Sequence, residues 1–175
     1  MVYVITGGPG FGKTSIIDLL EKAGFPVCSE GARALMPPES KQMENLDSMQ
    51  IPTDFERKIS FHRIDFLQSI APETIAFSDR GLPDQIAYSR YKNKIPSSFI
   101  EKAVLSNRYA PFVFVTPPWE TIFTTDQVRR ESYAEATCIH RQIIRAYHEH
   151  GYEIIEIPLT SPEMRMKFIL NILAI

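Results

Sequence analysis

GGPGFGKT, residues 7–14, follows the apolar run VYVIT and precedes SIIDLLEKAG. Gly7, four free positions, then Gly12, Lys13 and Thr14 make the P-loop spelling. That motif works only between a buried strand and a helix, and both flanks are present. Val2 to Thr6 is short, apolar and β-branched, while Ile16, Ile17, Leu19, Leu20 and Ala23 recur at helical spacing up to a stop at Gly24. Glycines in such a turn let successive backbone N–H groups face one anion, and the helix start adds the positive end of its dipole. The predicted phosphate cradle comprises Gly8, Gly10, Phe11, Gly12, Lys13, Thr14 and Ser15. Lys13 would reach the β- and γ-phosphates, and the Thr14 hydroxyl would sit on a magnesium ion carried by the nucleotide. A bare glycine-rich turn would explain the glycines but not Lys13 and Thr14.

The rest of the chain bounds the reading. Its 175 residues fit one domain, 1–175, large enough to bury a core without disulfides or metals. A net charge of −2 sets up no global field for nucleic acid or an anionic membrane. Cys28 and Cys138 form neither a C-x-x-C pair nor a metal spacing, and the first strand begins at residue 2 without a basic, apolar leader, so reduced thiols and a cytoplasmic protein are expected. The four histidines are scattered, and no metal site of protein ligands is expected.

Further strands are predicted in FPVCS, TIAFSDRG, PFVFVT and YEIIEIPL. Between them, TDFERKISFHRIDFLQSIAP opens on a capping pair, Thr53 with Glu56, and sets Phe55, Ile59, His62, Phe66 and Ile70 along one helical face. Residues 124–151 read as a long helical segment closed by Gly151, anchored by Ile139, Ile143 and Tyr147, and Ser161 with Pro162 opens a last helix. Residues 36–53, polar with three prolines, read as a surface segment and the first candidate for disorder, and residues 91–98 as the second. Strands alternating with helices imply an α/β P-loop NTPase fold, a doubly wound five-stranded parallel sheet with helices on both faces. Ligands in such sheets bind at the carboxyl ends of the strands. There the second strand offers Glu30 and Arg33, and the third Asp79 and Arg80 with Asp84 beyond. A solvated surface pair explains Glu30 and Arg33 equally well, and Asp84 beside Pro83 fits ordinary turn chemistry.

GGPGFGKT, SEGAR (29–33), FSDRGLPDQIAY (77–88) and TDQVRRESYAEA (125–136) together resemble the small P-loop ATPase and kinase-like domains grouped as an AAA-type family. That family includes the nicotinamide riboside kinase domain of bacterial bifunctional NAD regulators, and the chain is similar more broadly to nucleoside and nucleoside-monophosphate kinases. The resemblance covers nearly the whole chain, and its P-loop is the most specific part. It implies that Asp79 serves the phosphate acceptor and Arg80 the phosphates, although Gly81 follows where several such kinases carry a polar side chain. It also implies an acceptor-binding region at about 30–70, a lid at about 119–137, and an adenine site near Leu159, Thr160, Ser161 and Pro162.

Two geometries remain open for Asp79, a Walker-B-like carboxylate in the magnesium shell or a general base for the acceptor hydroxyl. On a closing lid, Arg129 or Arg130 could meet charge on the transferred phosphoryl group, where the plain alternative is a solvated helical face. Trp119 could stack on a base or simply cover a strand end. The expected activity is transfer of the γ-phosphoryl of ATP, with Mg²⁺, to a small nucleoside-like acceptor, with Lys13, Asp79 and Arg129 catalytic. A regulatory ATPase acting through a partner is the alternative. A remodelling motor lacks a basic stripe and room for a helical subdomain. A GTPase lacks its Asn-Lys-x-Asp, since Ile95 and Pro96 follow Asn93 and Lys94.

Overall fold

The computed structural model describes residues 1–29, 53–123 and 131–175. Glu30, Arg33, Arg129 and Arg130 lie outside the described residues. Strand β1 (Val2–Gly7) runs through the phosphate loop into α1 (Lys13–Lys22), and β2 (Val27–Cys28) follows. Then come α2 (Thr53–Ser69), β3 (Ala76–Asp79), α3 (Leu82–Tyr91) and α4 (Ser98–Ser106). The chain continues through β4 (Phe112–Thr116), a 3₁₀ turn at Glu120–Ile122, α5 (Tyr133–Glu149), β5 (Glu153–Glu156) and α6 (Pro162–Leu173).

The five strands form one parallel sheet in the order β2-β3-β1-β4-β5. Parallel strands need crossovers, and helices supply them on both faces. On one face α1 and α6 bury Ile16, Ile17, Leu20 and Ile169 against Ile5, Phe77 and Phe114. On the other, α3, α4 and α5 bury Leu82, Ile86, Ile100, Val104, Ile139 and Ile143 against Val2, Val4, Val113 and Val115. The strand order puts β1 at the centre, so its carboxyl end, where the phosphate loop starts, is flanked by the ends of β3 and β4. Ile5 pairs with Asp79 on one side and Phe114 on the other.

Most predicted elements stand where the patterns put them. Ile139, Ile143 and Tyr147 are fully buried on α5, and Ser161 caps α6 by accepting from the Met164 N–H at 3.4 Å. Helix α5 starts at Tyr133 because the Ser132 hydroxyl accepts from the Glu135 N–H while the Glu135 carboxylate accepts from the Ser132 N–H, a reciprocal cap. Residues 92–97, part of the second disorder candidate, are a short loop that Ser97 ends by capping α4.

The predicted face of α2 needs correction. Ile59 is buried and Phe66 and Ile70 pack on the core, but His62 is exposed and the neighbouring Arg63 and Ser60 are buried in its stead. A charged side chain turned inward defeats apolar patterning, and the reason lies at the site.

Candidate active site

The phosphate loop is held from behind by cations. Lys13 donates through Nζ to the carbonyls of Gly7 at 3.1 Å and Gly8 at 2.7 Å. Arg80 donates through Nη1 to the Gly7 carbonyl at 2.9 Å, and Arg165 through Nη1 to the Phe11 carbonyl at 3.3 Å. Gly12 takes a left-handed φ of 78° as the cap of α1, which favours glycine. A side chain there would also meet Arg165 Nη1 at 2.7 Å. Beyond the loop, Thr14 and Ser15 are exposed on the first turn of α1, open to whatever the cradle holds.

Phe11 stands in the predicted cradle, yet its side chain faces away from it. The ring is fully buried among Phe123, Tyr133 and His140, with centroids 5.9–6.2 Å apart. Only its backbone remains for a ligand. This aromatic group packs the 3₁₀ turn and the start of α5 against the phosphate loop. His140 is pushed down to about 4 by burial and by the nearby Lys13 ammonium, so its imidazole is neutral at pH 7.

At the end of β3, Asp79 and Arg80 are both buried beside the start of the loop, as the strand-end argument expects. Arg80 adopts a φ of 67°, a strained conformation for a side chain of its size. The Ile5 carbonyl accepts from its N–H at 3.0 Å and its own carbonyl accepts from the Ser78 hydroxyl at 2.6 Å, which hold the turn. Its guanidinium therefore lies across the Gly7 carbonyl and the Asp84 carboxylate, where it shapes the loop.

Asp84 is the largest departure from the sequence reading. Far from a solvated turn residue, it is 1% exposed and its carboxylate accepts four hydrogen bonds. Oδ1 accepts from the Thr6 hydroxyl at 2.5 Å and Arg80 Nη1 at 3.2 Å, and Oδ2 from the Gly81 N–H at 2.8 Å and the Tyr147 hydroxyl at 2.6 Å. Four elements meet on one side chain. Burial, reinforced by Asp84, raises the Tyr147 phenol well above its usual range, so it remains a donor. Gly81 is required beside this group, since a Cβ would lie 2.6 Å from the Tyr147 hydroxyl. That explains the missing polar side chain after Asp79 and Arg80.

Two further arginines escaped sequence reasoning. Arg63 projects from α2 and donates through Nη1 to the Gly81 carbonyl at 3.1 Å. It lies near enough to the Cys28 thiol and the Tyr109 phenol to offset part of the upward push that burial gives both. Its spacing of four from Ile59 was the available signal. Arg165 lies on α6 with its guanidinium carbon 5.2 Å from the centre of the Trp119 ring, and burial draws it below its ordinary value. Trp119 thus covers an arginine beside the phosphate loop.

A glycine-rich strand-to-helix loop ending in Lys13 and Thr14, on a 2-3-1-4-5 parallel sheet with acid and arginine at the neighbouring strand end, defines the P-loop NTPase fold. Residues 2–165 match the model of a family described as AAA domain, and the chain belongs to that family. No curated protein sequence matches it. Deoxyadenosine kinase from M. mycoides, with dCMP and a flexible dCDP bound, is similar at a TM-score of 0.70 and 13% identity, over 99% of this chain and 98% of that one. NadR in complex with NR gives 0.69 at 17% identity over 97% of this chain and 50% of NadR, so the chain spans half of that protein. Thymidylate kinase from Ehrlichia chaffeensis gives 0.64 at 16% identity over 99% and 98%. At these identities the likeness establishes a shared fold. Among the described residues, no helix is long and apolar enough to cross a membrane.

Proposed function

We propose that the chain is an ATP- and magnesium-dependent phosphotransferase acting on a small nucleoside-like acceptor. The observation that carries this reading is the adjacency of the phosphate loop to buried Asp79 and Arg80 across the β1–β3 pair. A triphosphate on the loop would present its γ-phosphoryl toward that strand end, where an acceptor hydroxyl can be aligned. The kinases and NadR that share the fold along the chain's length support the same class.

In this mechanism Lys13 exchanges its two carbonyl partners for the β- and γ-phosphates, a better match for an ammonium. Magnesium fits the residues present, because the Thr14 hydroxyl is exposed on the first turn of α1 and Asp79 sits at the neighbouring strand end. When bound with the nucleotide it would neutralise phosphate charge. Asp79 accepts the acceptor's proton or orients the magnesium shell. Arg80 keeps the loop in shape, Arg63 supplies positive charge on the acceptor side, and Glu30 and Arg33 contact the acceptor. Arg129 closes on the transferred phosphoryl group. Catalysis is positioning and charge neutralisation with little covalent work by the protein. We place the reaction in the cytoplasm, in keeping with the free thiols of Cys28 and Cys138.

An ADP-release assay with ATP, Mg²⁺ and a panel of nucleosides, nucleotides and pyridine ribosides tests the reading. One acceptor class should raise turnover well above the basal rate. A slow rate indifferent to every acceptor would favour a regulatory ATPase.

A further inference from the structure

Arg165 is among the largest fully buried side chains, at 1% exposure near the start of α6. A guanidinium stays charged near neutral pH, so burying one demands compensation. Among the described residues no carboxylate pairs with it. Its Nε donates to the Pro158 carbonyl at 3.1 Å, its Nη1 to Phe11, its face lies on Trp119, and its Nη2 is buried with no hydrogen-bond acceptor. A positive charge with no counter-anion among the described residues thus rests against Gly12, the residue before Lys13.

Peptide planarity gives this contact a consequence. In a trans peptide the C=O and N–H point in opposite directions, and no described peptide is cis. Because the Phe11 carbonyl is drawn toward Arg165, the N–H of Gly12 in the same peptide is turned away from α6. We propose that Arg165 is a positioning residue of the nucleotide site: it holds the Phe11 carbonyl on the α6 side, aims the Gly12 N–H into the triphosphate cradle, and adds a fixed positive charge behind it. Lys13 holds carbonyls in the same sense but must release them to reach phosphate, whereas Arg165 has no such task and stays. Through Pro158 and Trp119 it also ties the loop to the turn after β5 and the segment after β4. The cradle is therefore preset before the nucleotide arrives, which is how dipoles stabilise charge most effectively.

The proposal rests on the reading of the cradle as a triphosphate site, and the test separates the two. The full chain is titrated calorimetrically with Mg-ATP and with inorganic tripolyphosphate, while the emission of Trp119, the single tryptophan, is followed. In Arg165→Met both ligands should bind more weakly by the same factor, roughly tenfold or more, since a charge-assisted arrangement is lost. The Trp119 response to ATP should move to the same higher concentrations. Arg165→Lys keeps the charge without the two-carbonyl fork and should recover part of the loss. If the Met variant does not fold, Arg165→Gln takes its place under the same criterion. A variant that binds both ligands within twofold of wild type overturns the proposal and leaves the kinase reading intact. A loss confined to ATP assigns Arg165 to the base and overturns it too. Wild-type protein that binds neither ligand removes the kinase reading and the proposal together.

Discussion

Replacing Asp84 by asparagine keeps the side chain's shape and changes one oxygen into a two-hydrogen donor. All four contacts of the carboxylate are donors, so the new amide must face two of them whichever way it turns. With its NH₂ toward Tyr147 and Gly81, the phenol can rotate to accept but the Gly81 N–H cannot. With it toward Thr6 and Arg80, the hydroxyl can rotate but the guanidinium cannot. One buried donor is orphaned in either case, at about 1–3 kcal/mol. The buried partner Arg80 also loses its carboxylate at 3.2 Å, and breaking a buried pair costs about 3–5 kcal/mol. The two terms overlap, because the orphaned group can be Arg80 itself, so the expected total is about 3–5 kcal/mol. For a chain of this length that corresponds to roughly 6–20 °C in Tm. Tyr147→Phe removes one donor and leaves Oδ2 bonded to Gly81, so it should cost only about 1 kcal/mol. Urea unfolding of both variants, followed by circular dichroism, measures the difference. An Asp84→Asn variant within 1 kcal/mol of wild type would refute the idea that this carboxylate joins the β1 end, the β3–α3 turn and α5.

Lys13→Ala should abolish turnover or weaken ATP binding at least tenfold, and because Lys13 is buried and donates to the Gly7 and Gly8 carbonyls it should also cost about 1–3 kcal/mol of stability and lower the unfolding midpoint; ATP hydrolysis at the wild-type rate would remove the P-loop assignment. Asp79→Asn should lower acceptor-dependent turnover by roughly 10²–10⁴-fold if Asp79 is the base. If it orients magnesium instead, titration with a fluorescent ATP analogue will also show loss of Mg²⁺-dependent binding. His140 predicts a pH dependence. Its folded pKa of about 4 lies below the ordinary 6.5, so between those values the unfolded chain binds the extra proton and stability falls as pH falls. From pH 7 to pH 5 the loss from this group is about 2 kcal/mol, and it should be absent from His140→Leu. Equal losses in variant and wild type over that window would show that the histidine is not held neutral.

Local pattern sufficed for the fold and the cradle because both rest on short-range physics. A β-branched run, a glycine turn and a helix with its own caps are complete within residues 2–24. The alternation of strands and helices then permits little besides a covered parallel sheet. Helix α3 was less legible, since most of it faces inward, and helical spacing shows only when one side stays polar. Strand order, and with it the meeting of Asp79 with the phosphate loop, depended on which strands pair, which no local period encodes. The buried charges depended on tertiary structure most of all. Arg63, Asp84 and Arg165 look solvated along the chain, because a charge belongs in water unless something distant satisfies it. Their partners are 18, 63 and 154 residues away, at Gly81, Tyr147 and Phe11, and only the folded chain brings them within hydrogen-bond reach.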